Sequence, residues 1–337
     1  MVGCRQLFLL FFLTGLLSPV QAAPLFDDLE PLEIELKGPL SSLIKDKESR
    51  EEKLFQLSVD GAQLAVKLRS RGNSRMRVCT FSPLRFNFKK AETEGTVFAG
   101  QDKLKLVTQC LKGNRSQQDV LEEYAAYRIF GLLSEVSFRV RLVHITYIDT
   151  DGRRDDPEGQ YGFLIEAEDQ LVLRTQGKLA EVPATSLRSL NQQQAALVYV
   201  FQYLVGNTDW SLVKAESDDS CCHNILLLEI DSKRNLVPYD FDLAGLVNAS
   251  YARPDPSLRI KKVQQRLYRG FCTETDILRG ALGRIMSKQQ DIMAVIEDLP
   301  LLTAKDKDKR QDYLRRFFKE AGDEDAMIRS FEKACHP

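Results

Sequence analysis

Three residues in the second half of the chain have the types and order that phosphoryl transfer uses. They are Asp209 in Gly206-Asn207-Thr208-Asp209-Trp210, Asn224 in His223-Asn224, and Asp240 in Pro238-Tyr239-Asp240-Phe241-Asp242. That chemistry needs one carboxylate to orient or deprotonate the acceptor and hard oxygen ligands for a divalent cation. Taken singly, each of the three is an ordinary turn-forming residue at the end of an element. Their succession after one apolar helix is what points to chemistry.

Two groups of cations precede them. In Arg69-Ser70-Arg71-Gly72-Asn73-Ser74-Arg75-Met76-Arg77, residues two apart on a strand face the same way. A hairpin turning at Gly72-Asn73 would therefore line one face with guanidinium groups suited to a phosphate. The plainer alternative is a solvated edge strand whose charges discourage aggregation. In Gln101-Asp102-Lys103-Leu104-Lys105-Leu106, Lys103 and Lys105 share a strand face ahead of a helix carrying Glu122 and Glu123. A strand lysine held by a helix carboxylate grips nucleotide phosphates in kinases. Of the two glutamates, Glu123 lies nearer the stripe of Val120 and Tyr127; a surface ion pair is the alternative reading. His223, Ser211 and Ser220 raise a hydrolase triad, but no Gly-x-Ser-x-Gly elbow exists to support it.

The elements that would position these groups follow from periodicity. Alternating polarity predicts strands over Gln63 to Arg71, Leu84 to Phe88 and Lys103 to Thr108. A helix is expected from Gln117 to Leu133, with Ser116 as its N-cap. Phe138 to Asp149 and Tyr161 to Glu166 read as a hairpin around Thr150 to Gln160. Asn191 to Val205 is apolar on nearly every face and is followed by Gly206, the pattern of a buried helix with a glycine stop. Ile225 to Ile230 and Leu236 to Pro238 flank a turn, and the tail is helical over Thr273 to Asp298 and Asp306 to Ala334. The polar stretch from Glu168 to Arg188 reads as irregular and as the boundary between a β-rich unit and a mainly helical one.

Together, the Arg71-Gly72-Asn73-Ser74 turn, the lysine strand, and the Asp209, Asn224 and Asp240 motifs in that order resemble the CotH-like spore-coat kinase family, over about residues 60 to 250. The resemblance implies an α+β, two-lobed protein-kinase-like fold: a β-rich N-lobe with one main helix, and a mainly helical C-lobe. It implies use of ATP with Mg²⁺ or Mn²⁺ to phosphorylate a protein. By the same resemblance Asp209 is the catalytic carboxylate, Asn224 and Asp240 hold metal, Asp242, ranked below Asp240, is a further metal ligand or simply fixes the loop, and Lys103 or, preferably, Lys105 contacts phosphates. Arg71 joins the phosphate-binding set, and Glu123 is the expected partner of Lys105. Asp209 and Asn224 stand much farther apart than the corresponding residues of ordinary protein kinases, and no Gly-rich loop is present. The rival readings are a catalytically silent binding protein on the same fold, and transfer of AMP in place of phosphate.

Composition narrows the setting. Among 337 residues, 47 Lys and Arg balance 48 Asp and Glu for a net charge of −1, without the basic excess of a nucleic-acid binder. Arg5, the apolar run Leu7 to Leu17 and the small-residue site Val20-Gln21-Ala22 form a signal-peptide pattern. The run is shorter than the ~20 residues that span a bilayer. The expected organisation is a signal peptide over residues 1–22, a β-rich lobe over 23–170 and a helical lobe over 171–337. The product would be exported, periplasmic or secreted, with no stable membrane span. Six cysteines remain after Cys4 leaves with the signal, an even number open to full pairing, and the sequence does not choose among the pairings. No CxxC occurs and only 3 His are present, so a zinc site is not expected. The sequons at Asn114 and Asn248 matter only in a host that glycosylates.

Overall fold

The computed structural model describes residues 24–153, 155–212 and 221–337. The expected signal peptide and Ser220 lie outside the described residues. In chain order the elements are β1 (Leu32–Gly38), α1 (Leu40–Lys45), β2 (Lys53–Val59), β3 (Ala62–Ser70), α2 (Ser74–Val78), β4 (Leu84–Phe88), β5 (Lys103–Val107) and α3 (Asn114–Leu133). Next come β6 (Val140–Asp149), β7 (Asp155–Ile165), α4 (Glu168–Thr175), β8 (Lys178–Leu179), α5 (Gln192–Val205), β9 (Ile225–Ile230) and β10 (Lys233–Pro238). The chain ends in α6 (Thr275–Ser287), α7 (Gln289–Glu297), α8 (Ala304–Ala321) and α9 (Glu324–Ala334).

The seven strands β1 to β7 form a closed barrel in the order β1-β2-β3-β4-β5-β7-β6. This corrects the two-lobed protein-kinase-like fold expected above, with its β-rich lobe carrying one main helix. The physical reason lies in β1, a strand the sequence patterns left unassigned. It pairs antiparallel with β2 and, along its whole length from Leu32 to Gly38, parallel with β6 from Val143 to Asp149. Closure leaves the barrel without a free edge. Alternate residues point inward, so Leu36, Leu57, Val66, Leu68, Phe86, Leu104, Leu106 and Leu164 fill the interior with at most 0% exposure.

The outward face of β7 is also apolar. Phe163 and Ile165 pack with Tyr124, Tyr127 and Phe130 of α3 into the second core, which continues through α5 and the C-terminal helices. Helix α3 starts at Asn114 with Gly113 as N-cap, earlier than expected. Ser116 instead sits inside the first turn, where its hydroxyl accepts from the Leu111 amide at 2.8 Å. The proposed hairpin at Gly72-Asn73 is likewise replaced: β3 ends at Ser70, Gly72 takes φ +95°, and Arg75 and Arg77 fall on α2. Helical geometry separates those two arginines, burying Arg75 and leaving Arg77 exposed. The stretch expected to be irregular holds α4 and β8, because Leu171 is fully buried and Lys178–Leu179 adds a strand to β9.

Helix α5 conforms to its pattern. Asn191 caps it by accepting from the Gln194 amide at 3.3 Å, and Gly206 ends it with φ +66°. Cys79 and Cys110, Cys221 and Cys222, and Cys272 and Cys335 are paired as disulfides, a pattern suited to an oxidising compartment. Among the described residues no helix is long and apolar enough to cross a membrane.

Gly206 is where packing and backbone meet. A Cβ there would come 1.9 Å from the Tyr313 hydroxyl, on a backbone conformation that costs an L-residue about 1–2 kcal/mol. Gly206→Ala is expected to lower unfolding free energy by more than about 2 kcal/mol in urea titrations. Tyr313→Phe should be nearly neutral, since its buried hydroxyl has no hydrogen-bond partner among the described residues. Added to Gly206→Ala, it should restore part of the loss; full additivity would show that the hydroxyl is not the obstacle.

Candidate phosphoryl-transfer site

The Arg75 guanidinium organises the site. It is 8% exposed, and its Nη2 donates to both carboxylate oxygens of Glu123 at 2.8 Å and to Asp240 Oδ1 at 2.8 Å. Its Nε donates to Asp242 Oδ2 at 2.9 Å, an oxygen that also accepts from Tyr251 at 3.0 Å. One buried cation thus faces three carboxylates from α3 and the segment after β10. Burial raises the pKa values of Glu123 and Asp242, while Arg75 opposes the shift in both. The arginine itself is held well above its ordinary value by the three carboxylates, which outweigh its desolvation.

Asp240 differs from its two neighbours. Its side chain is 44% exposed, and only Oδ1 is engaged by Arg75. The backbone is held in place by its amide, which donates to the Tyr127 hydroxyl at 2.8 Å. Asp240 takes φ +62° and Asn224 φ +52°. Left-handed conformations outside glycine concentrate at turns and functional sites.

The β9–β10 hairpin brings the second-half motifs to one mouth. Its register pairs Ile225 with Pro238, and the Tyr239 amide donates to the Asn224 carbonyl at 3.1 Å. Asn224 Nδ2 donates to the Asp209 carboxylate at 2.9 Å and to its carbonyl at 2.7 Å. Its Oδ1 accepts no hydrogen bond among the described residues. The second Asp209 oxygen lies 3.0 Å from His223 Nε2. Behind this loop, Arg269 Nη1 donates to the carbonyls of Thr208 and Trp210, on either side of Asp209. Asp209 therefore has a fixed backbone and a fixed carboxylate.

The cations are distributed differently from the sequence expectation. Lys105 does not meet Glu123; its Nζ pairs with Glu168 of α4 at 2.8 Å and lies 5.8 and 5.9 Å from the ring centres of Phe138 and Tyr239. Glu123 is taken by Arg75, delivered by α2, whose Nη2 meets both of its oxygens while Nε of the same planar group holds Asp242, so that one guanidinium spans several carboxylates. Lys103 is exposed beside Asp102, at 3.8 Å. The Arg71 backbone amide donates to the Pro83 carbonyl at 2.8 Å, while its guanidinium makes no hydrogen bond or ion pair among the described residues. Burial lowers its pKa, with Asp240 opposing and Arg75 adding to the effect. A guanidinium desolvated beside an exposed carboxylate, with its donors uncommitted, is suited to an anion.

Asp242 is committed to Arg75 and Tyr251, which leaves Asp240 Oδ2 and Asn224 Oδ1 as oxygens of the set with no hydrogen bond among the described residues. Among the described residues no group of three or more His, Cys, Asp or Glu is placed to cage a metal. A carboxylate and an amide oxygen fit Mg²⁺ differently, since that ion keeps waters and shares its coordination with substrate phosphates. The central role of Arg75, and the supporting ones of Tyr127, Tyr251, Glu168 and Arg269, went unread in the sequence. A signal for Arg75 was present, because Asn73-Ser74 after a glycine is a helix start.

The chain matches no known protein-family model. No curated protein is significantly similar to it.

Removing Arg75 would leave two buried carboxylates and a third half-exposed one without their cation. Arg75→Ala is expected to cost about 3–5 kcal/mol of stability. The sign with pH follows from the raised carboxyls: at low pH Glu123 and Asp242 take up protons and the repulsion falls. The loss should therefore be larger at pH 8 than at pH 5 in paired denaturant titrations. An equal loss at both values would assign the defect to packing alone.

Proposed function

We propose that this protein transfers a phosphoryl group from a nucleoside triphosphate, bound with Mg²⁺ or Mn²⁺, to a hydroxyl group of a protein, and that it does so on a barrel-and-helix framework. The uncommitted Arg71 guanidinium beside the exposed Asp240 carboxylate carries the reading. It is a place for phosphate next to a place for a cation, at the mouth where Asp209 and Asn224 also stand. The order of the Asp209, Asn224 and Asp240 motifs, the specific part of the CotH-like resemblance, supports the same chemistry.

In this reading Arg71 binds and orients phosphate oxygens, and Lys105, near Tyr239, adds positive charge. Asn224 Oδ1 and Asp240 would hold the metal, which supplies charge neutralisation on the phosphates. Asp209 takes the proton of the acceptor hydroxyl as that oxygen bonds to the γ-phosphorus, and the bond from phosphorus to the departing nucleoside diphosphate breaks. His223 and Asn224 fix the carboxylate for that role. The same two contacts favour a second reading, a nucleotide-binding protein without transfer, since they already engage both oxygens of Asp209.

Thermal-shift titrations with ATP and Mg²⁺ or Mn²⁺, paired with assays of label transfer from γ-phosphate, test the proposal. Binding at a hundredfold excess over Kd adds about 2.7 kcal/mol to stability. Arg71→Ala and Asp240→Ala should each abolish most of the shift. Asp209→Ala should keep the shift and lose transfer by about 10²- to 10⁴-fold. A shift in the wild type without transfer would select the binding reading, and no shift at millimolar metal-nucleotide would defeat both.

A further inference from the structure

One residue before Glu123, α3 faces a second charged cluster. Glu122 is fully buried and receives both terminal nitrogens of Arg115, at 3.1 and 3.0 Å, together with Nε of Arg310 from α8. Arg115 also donates to the carbonyls of Val247 and Asn248, tying α3 to that loop. Between α3, the loop and α8 opens a cleft of about 340 Å³, walled by Arg115, Arg310, Lys309 and Arg316 and by Asp306 and Asp312.

We propose that this cleft binds a phosphate group, free or carried by a small molecule. Arg310 is the deciding residue. It is 8% exposed and lines the cleft, yet it donates only through Nε, and its two terminal nitrogens hydrogen-bond to no described residue. A buried guanidinium presenting an unfilled donor pair to a cavity has the geometry for two oxygens of a tetrahedral oxyanion. Lys309 and Arg316, on the exposed side of α8, add charge at the rim.

The two carboxylates in the wall are already engaged. Asp306 accepts from Lys309 at 2.9 Å, Thr303 at 2.7 Å and Gln118 at 3.2 Å, and Asp312 accepts from Arg315 at 2.6 Å. The volume lies within the range of small-molecule sites, enough for a sugar phosphate. The proposal does not depend on the nucleotide site, because Arg71 belongs to a separate group of residues.

The test is isothermal titration at constant ionic strength with inorganic phosphate, glucose 6-phosphate and glucose, on the wild type, Arg71→Ala and the double variant Lys309→Ala/Arg316→Ala. Saturable binding of at least one phosphate probe is expected, none of glucose, with affinity retained in Arg71→Ala and reduced about tenfold or more in the double variant. Preference for glucose 6-phosphate would assign a carried phosphate, and binding of inorganic phosphate alone a free one. Arg310→Met should abolish binding; should that variant not fold, the exposed double variant decides. Absence of binding by both phosphate probes at 10 mM (about the weakest affinity of use,), loss of binding in Arg71→Ala, or unchanged affinity in Lys309→Ala/Arg316→Ala would overturn the proposal.

Discussion

A single guanidinium joins parts of the chain that are far apart in sequence. Arg75 reaches 48 positions along the chain to Glu123, 165 to Asp240 and 167 to Asp242. These contacts bind α2, α3 and the segment after β10 to one another. Buried charge of this kind contributes little net stability compared with apolar packing, but it makes misplacement of any partner costly. The geometry of the site therefore depends on all three carboxylates finding the same cation. Asp240 is the exception that gives the cluster its use, since one of its oxygens remains outside the network.

Helix α3 carries this arrangement between two cores. Its aromatic residues pack against β7 of the barrel and, through Tyr127, against Phe241 at a ring separation of 4.7 Å. Its consecutive glutamates engage different arginines, Glu123 with Arg75 and Glu122 with Arg115 and Arg310. Hence a helix nearly all of whose central residues are buried is positioned by charge as much as by apolar contact. Burial also pushes the nearby Asp119 carboxyl up to about 7, against the pull of Arg115.

Local patterns in the sequence were sufficient for much of this framework and insufficient for its closure. The strand at Leu84–Phe88, the buried helix before Gly206 and the hairpin that delivers Asn224 and Asp240 are all set by nearby residues: alternation, a capping asparagine, a glycine stop. The Asp209 loop could be placed for the same reason. Barrel closure could not, because β1 carries an ordinary alternating pattern and its parallel partner lies beyond three helices and four strands. The partner of Glu123 was misread on similar grounds. Lys105 and Arg75 are both cations near α3, and only the turn of chain at Gly72, which starts a helix in place of a hairpin return, decides between them.

Parallel closure of the barrel has a consequence for the order of assembly. β1 can pair with β2 as soon as both exist, but its other edge must wait for β6, at Val143 to Asp149. A chain that emerges from its N-terminus first therefore holds one open strand edge while the intervening elements are made. Contacts this distant in sequence slow folding, since the loop must be ordered before the pairing rewards it. In the finished barrel that edge is gone, so the period of exposure to wrong partners lies in biogenesis and ends when β6 docks.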